Sequence, residues 1–116
     1  LGVMHEQGLG VHRDDRQAAH WYLKAAEQNY ALAQFNLALM YYEGKGLEKN
    51  LKQSYIWNTL AAYNGYSPAM KSRDMDAHKL SKKQKDAYRE EAEKLYQRII
   101  EQRTTAAQQA NKKHQE

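Results

Sequence analysis

The sequence predicts an all-α chain, a solenoid of antiparallel helix hairpins closed by a C-terminal capping helix. Three observations predict it. The chain repeats itself at a spacing of 36 residues, each repeat carries apolar residues at helical spacing, and glycine pairs and capping residues fall at matching positions.

Sliding the sequence by 36 pairs Leu1 with Leu37, Met4 with Met40, Gly8 with Gly44, Gly10 with Gly46 and Gln17 with Gln53. The same shift pairs Trp21 with Trp57, Ala25 with Ala61, Ala26 with Ala62, Tyr30 with Tyr66 and Ala33 with Ala69. These are ten identities in 33 pairs, where ordinary composition gives about two by chance.

Each repeat then divides into two helices. The first unit spans residues 1–30, and its helix A ends near Gln7 at the turn Gly8-Leu9-Gly10. Barely two turns of that helix precede the turn, which predicts further repeats upstream. Helix B opens at Asp14-x-x-Gln17, where a side-chain acceptor is answered three residues later by an amide. Its residues Ala18, Trp21, Tyr22, Ala25 and Ala26 stand at i, i+3, i+4, i+7 and i+8, one stripe of a helix. Asn29 suits a left-handed exit.

The second unit, 31–66, repeats the plan with helix A from Ala31 to Glu43, the turn Gly44-Lys45-Gly46 and the cap Asn50-x-x-Gln53. Its stripe is Ser54, Trp57, Asn58, Ala61 and Ala62, and its exit is Asn64-Gly65. Bulky Trp opposite small Ala predicts that Trp21 and Trp57 clasp adjacent hairpins. The third unit, 67–103, starts with Ser67 as N-cap and Pro68 at the first helical position. The glycine pair and the Trp are then lost. Ser81-x-x-Gln84 opens a long helix whose Tyr88, Ala92, Leu95, Tyr96, Ile99 and Ile100 form an apolar stripe, as a terminal cap requires. Residues 104–116 lack such a stripe and are expected to be frayed helix or disordered.

The pattern Leu-Ala-x-Met-Tyr-x-x-Gly-x-Gly-Leu at 37–47, with Trp57 and Ala61-Ala62, resembles the Sel-one-like repeat (SLR) family, relatives of the tetratricopeptide repeats. The first unit resembles it more closely, from Gly8-x-Gly10 through Asp14, Gln17-Ala18, Trp21-Tyr22 and Lys24-Ala25-Ala26-Glu27-Gln28. The second departs from it at Asn50 for Asp, Ser54 for Ala and Asn58 for Tyr, which suggests a different outer surface on that helix. The resemblance implies a right-handed solenoid that binds along a concave face lined by helix A of each unit. Carried onto this sequence, that face holds Glu6 and Val3 in the first unit, Phe35, Leu39, Tyr42 and Glu43 in the second, and Lys71, Met75 and His78 in the third. For Phe35 and Leu39, packing against the next helix is an equal reading. The expected role is a non-enzymatic scaffold for a protein or peptide partner. Bacterial members of the family work in the periplasm or at the cell surface, and the same lean is carried over to this chain.

Composition bounds the alternatives. Hydrophobic residues make up 41% of 116, and the mean hydropathy of −1.02 leaves no run near the roughly 20 apolar residues that a membrane-spanning helix needs. Absence of cysteine excludes disulfides and thiolate metal sites. His5, His12 and His20 lack any ligand spacing, so no metal or other cofactor is expected. No nucleophile motif or complete phosphate loop is present, and no enzyme is expected. Net charge is +4, all of it in residues 71–116. An alternative is therefore nucleic-acid or anionic-surface binding through Lys79, Lys82, Lys83, Lys85, Arg89 and Lys112-Lys113. Of the nine tyrosines, Tyr22, Tyr41, Tyr88 and Tyr96 are expected to fill grooves between helices, and Tyr42, Tyr63 and Tyr66 to be exposed.

Overall fold

A computed structural model describes the backbone of residues 10–115 and the side chains of residues 15–103. Among these the chain is helical throughout: α1 (Gly10–Glu27), α2 (Ala31–Glu43), α3 (Leu51–Tyr63), α4 (Ser67–Ala77) and α5 (Lys82–Gln115). Short connections make consecutive helices antiparallel neighbours. α2 packs on α1, and α3 packs on α2, α4 and α5. None of the described helices is long and apolar enough to cross a membrane.

The exit turns of the two repeats are equivalent. Asn29 at φ 71° and Gly65 at φ 84° hold equivalent left-handed positions. Tyr30 N–H donates to the Ala25 carbonyl at 3.2 Å, and Tyr66 N–H to that of Ala61 at 3.1 Å. Gly46 has φ 73°, and a Cβ there would stand 2.2 Å from the Asp15 carbonyl oxygen of α1, so only glycine lets this loop lie against the first repeat. The Ser81 box is complete, with Gln84 N–H donating to Ser81 Oγ at 3.1 Å and Ser81 N–H to Gln84 Oε1 at 2.9 Å. Only half of the Asn50 box forms: Asn50 Oδ1 accepts from Gln53 N–H at 3.1 Å, but Asn50 N–H is taken by the Tyr41 carbonyl at 2.9 Å.

Two expectations are corrected. α1 does not start at an Asp14 cap but runs from Gly10. Gly10 is helical where its equivalent Gly46 has positive φ, so nothing interrupts residues 10–13. Gly8, Leu9, Glu6 and His5 lie outside the described residues. The backbone of the 104–115 stretch, expected as frayed helix or disordered, continues α5 as far as Gln115, in keeping with its helix-permissive Ala and Gln content.

The second correction concerns the clasp. Trp57 is 4% exposed, inside a core with Leu37, Leu60, Ala92 and Ile99, but Trp21 is 66% exposed. In α1 the buried line is Ala19 and Ala26, flanked by half-buried Tyr22 and Leu23. Trp21 stands two residues from Ala19 and Leu23, which on a helix points it to the opposite side. α3 escapes this restriction because helices cover it on several sides, burying every residue from 54 to 62.

A polar web joins the repeats instead. Asn64 Nδ2 donates to Asn29 Oδ1 at 2.9 Å and to Gln34 Oε1 at 3.0 Å, while Asn29 Nδ2 donates to Asn64 Oδ1 at 3.2 Å. Gln34 Nε2 donates to the Ala26 carbonyl at 3.1 Å, and Tyr96 of α5 reaches Asn64 Oδ1 at 3.4 Å. Ala92 and Ile99 of α5 are buried in the core, so this helix closes the solenoid.

A candidate binding cleft between α2, α3 and α4

Phe35, Leu39 and Tyr42 stand at i, i+4 and i+7, a single face of α2, and make one wall of a cleft of about 360 Å³. Met75 of α4 faces them, with Ser72 beside it and His78 and Lys79 beyond the helix end. Phe35 lies 5.3 Å from the Tyr66 ring, which steadies the aromatic wall. Leu39 is 45% exposed and Met75 67% exposed. Large apolar side chains this open cost free energy in water unless something covers them.

The floor is polar. Asp76 of α4 is 3% exposed, and its Oδ2 accepts from Ser54 Oγ–H at 2.8 Å and from Asn58 Nδ2–H at 3.2 Å, both on α3. Burial pushes the Asp76 carboxyl above the usual carboxylate range, against the opposing pull of those two hydrogen bonds and of Lys79. Asn58 Oδ1 is buried with no donor among the described residues. At the lip, Lys79 Nζ hydrogen-bonds the Tyr42 hydroxyl and lies 4.4 Å from that ring's centre, with Lys49 Nζ at 5.9 Å.

The family model for the Sel1 repeat matches residues 1–30 and 31–66. The chain belongs to the Sel1 repeat family. It is 35% identical over 75 residues to the chitin synthase regulator SKT5 of Saccharomyces cerevisiae, covering 62% of this chain and 11% of that protein. It is 36% identical over 72 residues to chitin synthase regulatory factor 3 of Schizosaccharomyces pombe, covering 60% and 8%. Among solved structures, a protective antigen of uropathogenic Escherichia coli strains that displays an SLR fold is similar, with a TM-score of 0.63 and 38% identity over 82% of this chain and 20% of that one. The chain thus spans a tenth or so of the curated relatives and a fifth of the structural one. Sel1 repeats form a non-catalytic scaffold fold and generally mediate protein–protein interaction.

Of the residues that the concave-face expectation named, Phe35, Leu39, Tyr42, Met75 and His78 line this one cleft of the Sel1 array. Lys71 is exposed on α4 outside the lining, and Glu43 is exposed at the end of α2, 3.9 Å from Lys45. Glu6 and Val3 fall outside the described residues. Missing from the expectation were Ser54, Asn58, Ser72, Asp76 and Lys79. A signal existed for two of them, since Ser54 and Asn58 replace the apolar residues of the family pattern four positions apart on one helix face. Asp76 had none, because its partners lie 22 and 18 residues away.

The basic residues do not gather in the same way. Lys79 is engaged by Tyr42, and Lys85 and Arg89 share a recess with Asp74 and Glu93. Lys82 and Lys113 stand at opposite ends of α5, roughly 45 Å apart at helical rise. His20 packs edge-on to Trp21 at 6.1 Å. Among the described residues no three His, Asp or Glu side chains are grouped to hold a metal ion.

Proposed function

We propose that this chain is a non-enzymatic adaptor that docks a protein segment in the α2–α3–α4 cleft. The observation that carries the reading is the cleft itself: an apolar wall with open Leu39 and Met75 above a small number of buried polar groups, the composition of sites that bind by burial and orient by hydrogen bonds. The yeast relatives, named as a regulator and a regulatory factor of chitin synthase, support an adaptor reading.

Peptides selected by display against the chain provide the test. Leu39→Asp combined with Met75→Asp replaces two exposed side chains and should change stability little, by roughly 0.5 kcal/mol at each site. The pair should weaken the selected peptides at least tenfold, with the helical circular dichroism signal unchanged. Equal affinity for the parent and the double variant would move the docking surface elsewhere.

A further inference from the structure

We propose that the cleft is specific for an arginine side chain of its protein partner, whose aliphatic stem lies along Leu39 and Met75 while the guanidinium reaches Asp76. The inference rests on the docking role just proposed and names the chemistry that the cleft reads.

Hydrogen-bond supply and demand are unequal around Asp76 at the floor. The two donors that reach Asp76, the Ser54 hydroxyl and one N–H of the Asn58 amide, both go to its Oδ2. That bond also fixes which way the Asn58 amide faces, because turning it over would set its oxygen against the carboxylate. Asn58 Oδ1 is thereby left buried with no donor among the described residues. Asp76 Oδ1 accepts no hydrogen bond from the described residues, and none of their cations lies within ion-pair distance of Asp76. A buried carboxylate without a paired cation is costly, and so is a buried amide oxygen without a donor. The floor therefore holds an unpaired carboxylate with acceptor capacity to spare, and its complement is a cation that brings N–H donors.

Arginine suits it better than lysine, since its planar fork can turn N–H donors onto a carboxylate in a fixed plane. Its apolar stem also matches the walls above. The lip shows the same preference, because Tyr42 already draws Lys79 and Lys49 to its ring face. Lys79 is held there rather than on Asp76, so an incoming guanidinium competes with no existing ion pair. An anionic group would face Asp76 in a region of low dielectric, where like charges repel most strongly.

Fluorescein-labelled pentapeptide pools with randomised flanks and a fixed central Arg, Lys, citrulline, norleucine or Glu test this by anisotropy. The Arg pool should bind at least tenfold more tightly than the citrulline pool, whose side chain has nearly the same shape without charge. Asp76→Asn should erase that difference, and because the substitution retains size and hydrogen bonding it should leave the fold intact. Lys79→Gln should strengthen the Arg pool by removing a neighbouring like charge. Equal binding of Arg and citrulline pools, or an Arg preference that survives Asp76→Asn, would overturn the proposal while leaving peptide docking in place. A preference for Glu would do the same and make Lys79 and His78 the selective groups. Failure of every pool to bind would overturn the docking role as well.

Discussion

Helices α1 and α3 occupy the same position in successive repeats and share the run Trp-x-x-x-Ala-Ala, yet one tryptophan is in water and the other in the core. The difference lies in neighbours. α3 is enclosed by α2, α4 and α5, whereas α1 packs mainly on α2. A repeat sequence specifies which faces can be buried, and position in the array decides which of them are. Each break in the equivalence of the two helices is therefore informative.

The largest expected effect is at Trp57. Its ring contributes to the core with Leu37, Leu60 and Ile99, so Trp57→Ala removes a full aromatic contact and opens a cavity, at a cost of about 3–5 kcal/mol. Domains of this kind have about 5–15 kcal/mol in total. Urea denaturation should show a midpoint lowered by a large fraction of its value, or no folded baseline at all. An unchanged midpoint would mean that α3 is not the central helix of the stack.

A second contrast is polar. α3 carries Ser54 and Asn58 where α1 carries Ala18 and Tyr22, and the α3 pair holds the buried Asp76 carboxylate. The Asp76 pKa is raised above its ordinary 3.8 by burial. Between 3.8 and that raised value the folded chain binds the proton more strongly than the unfolded chain does, so stability falls as pH rises through this window and then levels off. The contribution is complete below the ordinary value and lost above the raised one. Asp76→Asn should abolish this part of the pH dependence and melt higher than the parent at neutral pH, with the two converging under acid. Its new amide also has Asn58 Oδ1 as an available acceptor. A variant that melts lower at neutral pH would show instead that the carboxylate is stabilised by its two hydrogen bonds more than burial penalises it.

These particulars also show what sequence alone could reveal. Helix and turn positions were legible because they rest on local chemistry: Asn29, Gly44 and Gly65 mark left-handed ends, and Ser81 with Gln84 closes a reciprocal cap. For one wall of the cleft the family resemblance supplied the residues, since it places Phe35, Leu39 and Tyr42 together on helix A. The floor was not legible, because Asp76 meets Ser54 and Asn58 only once α4 folds back on α3. The web of Asn29, Gln34, Asn64 and Tyr96 was hidden for the same reason, its cross-repeat bonds linking residues 30 to 35 apart. Trp21 was misassigned because the periodicity of α1 admits two adjacent stripes, and only the packed partner distinguishes the line through Ala19 and Ala26 from the line through Ala18 and Ala25.

The smallest expected effect therefore falls on Trp21, and it is the sharpest test of the comparison. Its described contacts are the His20 ring at 6.1 Å and Lys24 Nζ at 5.3 Å from the ring centre, and an exposed cation–π contact contributes about 0.5–1 kcal/mol. Trp21→Ala should cost no more than that, several-fold less than the same change at Trp57. Fluorescence separates the two rings independently of stability. With Trp57→Phe, emission from Trp21 should be red-shifted and readily quenched by iodide; with Trp21→Phe, emission from Trp57 should be blue-shifted and protected. Equal protection of both indoles would mean that Trp21 is covered in solution by a surface other than α2, and that the two repeats are equivalent after all.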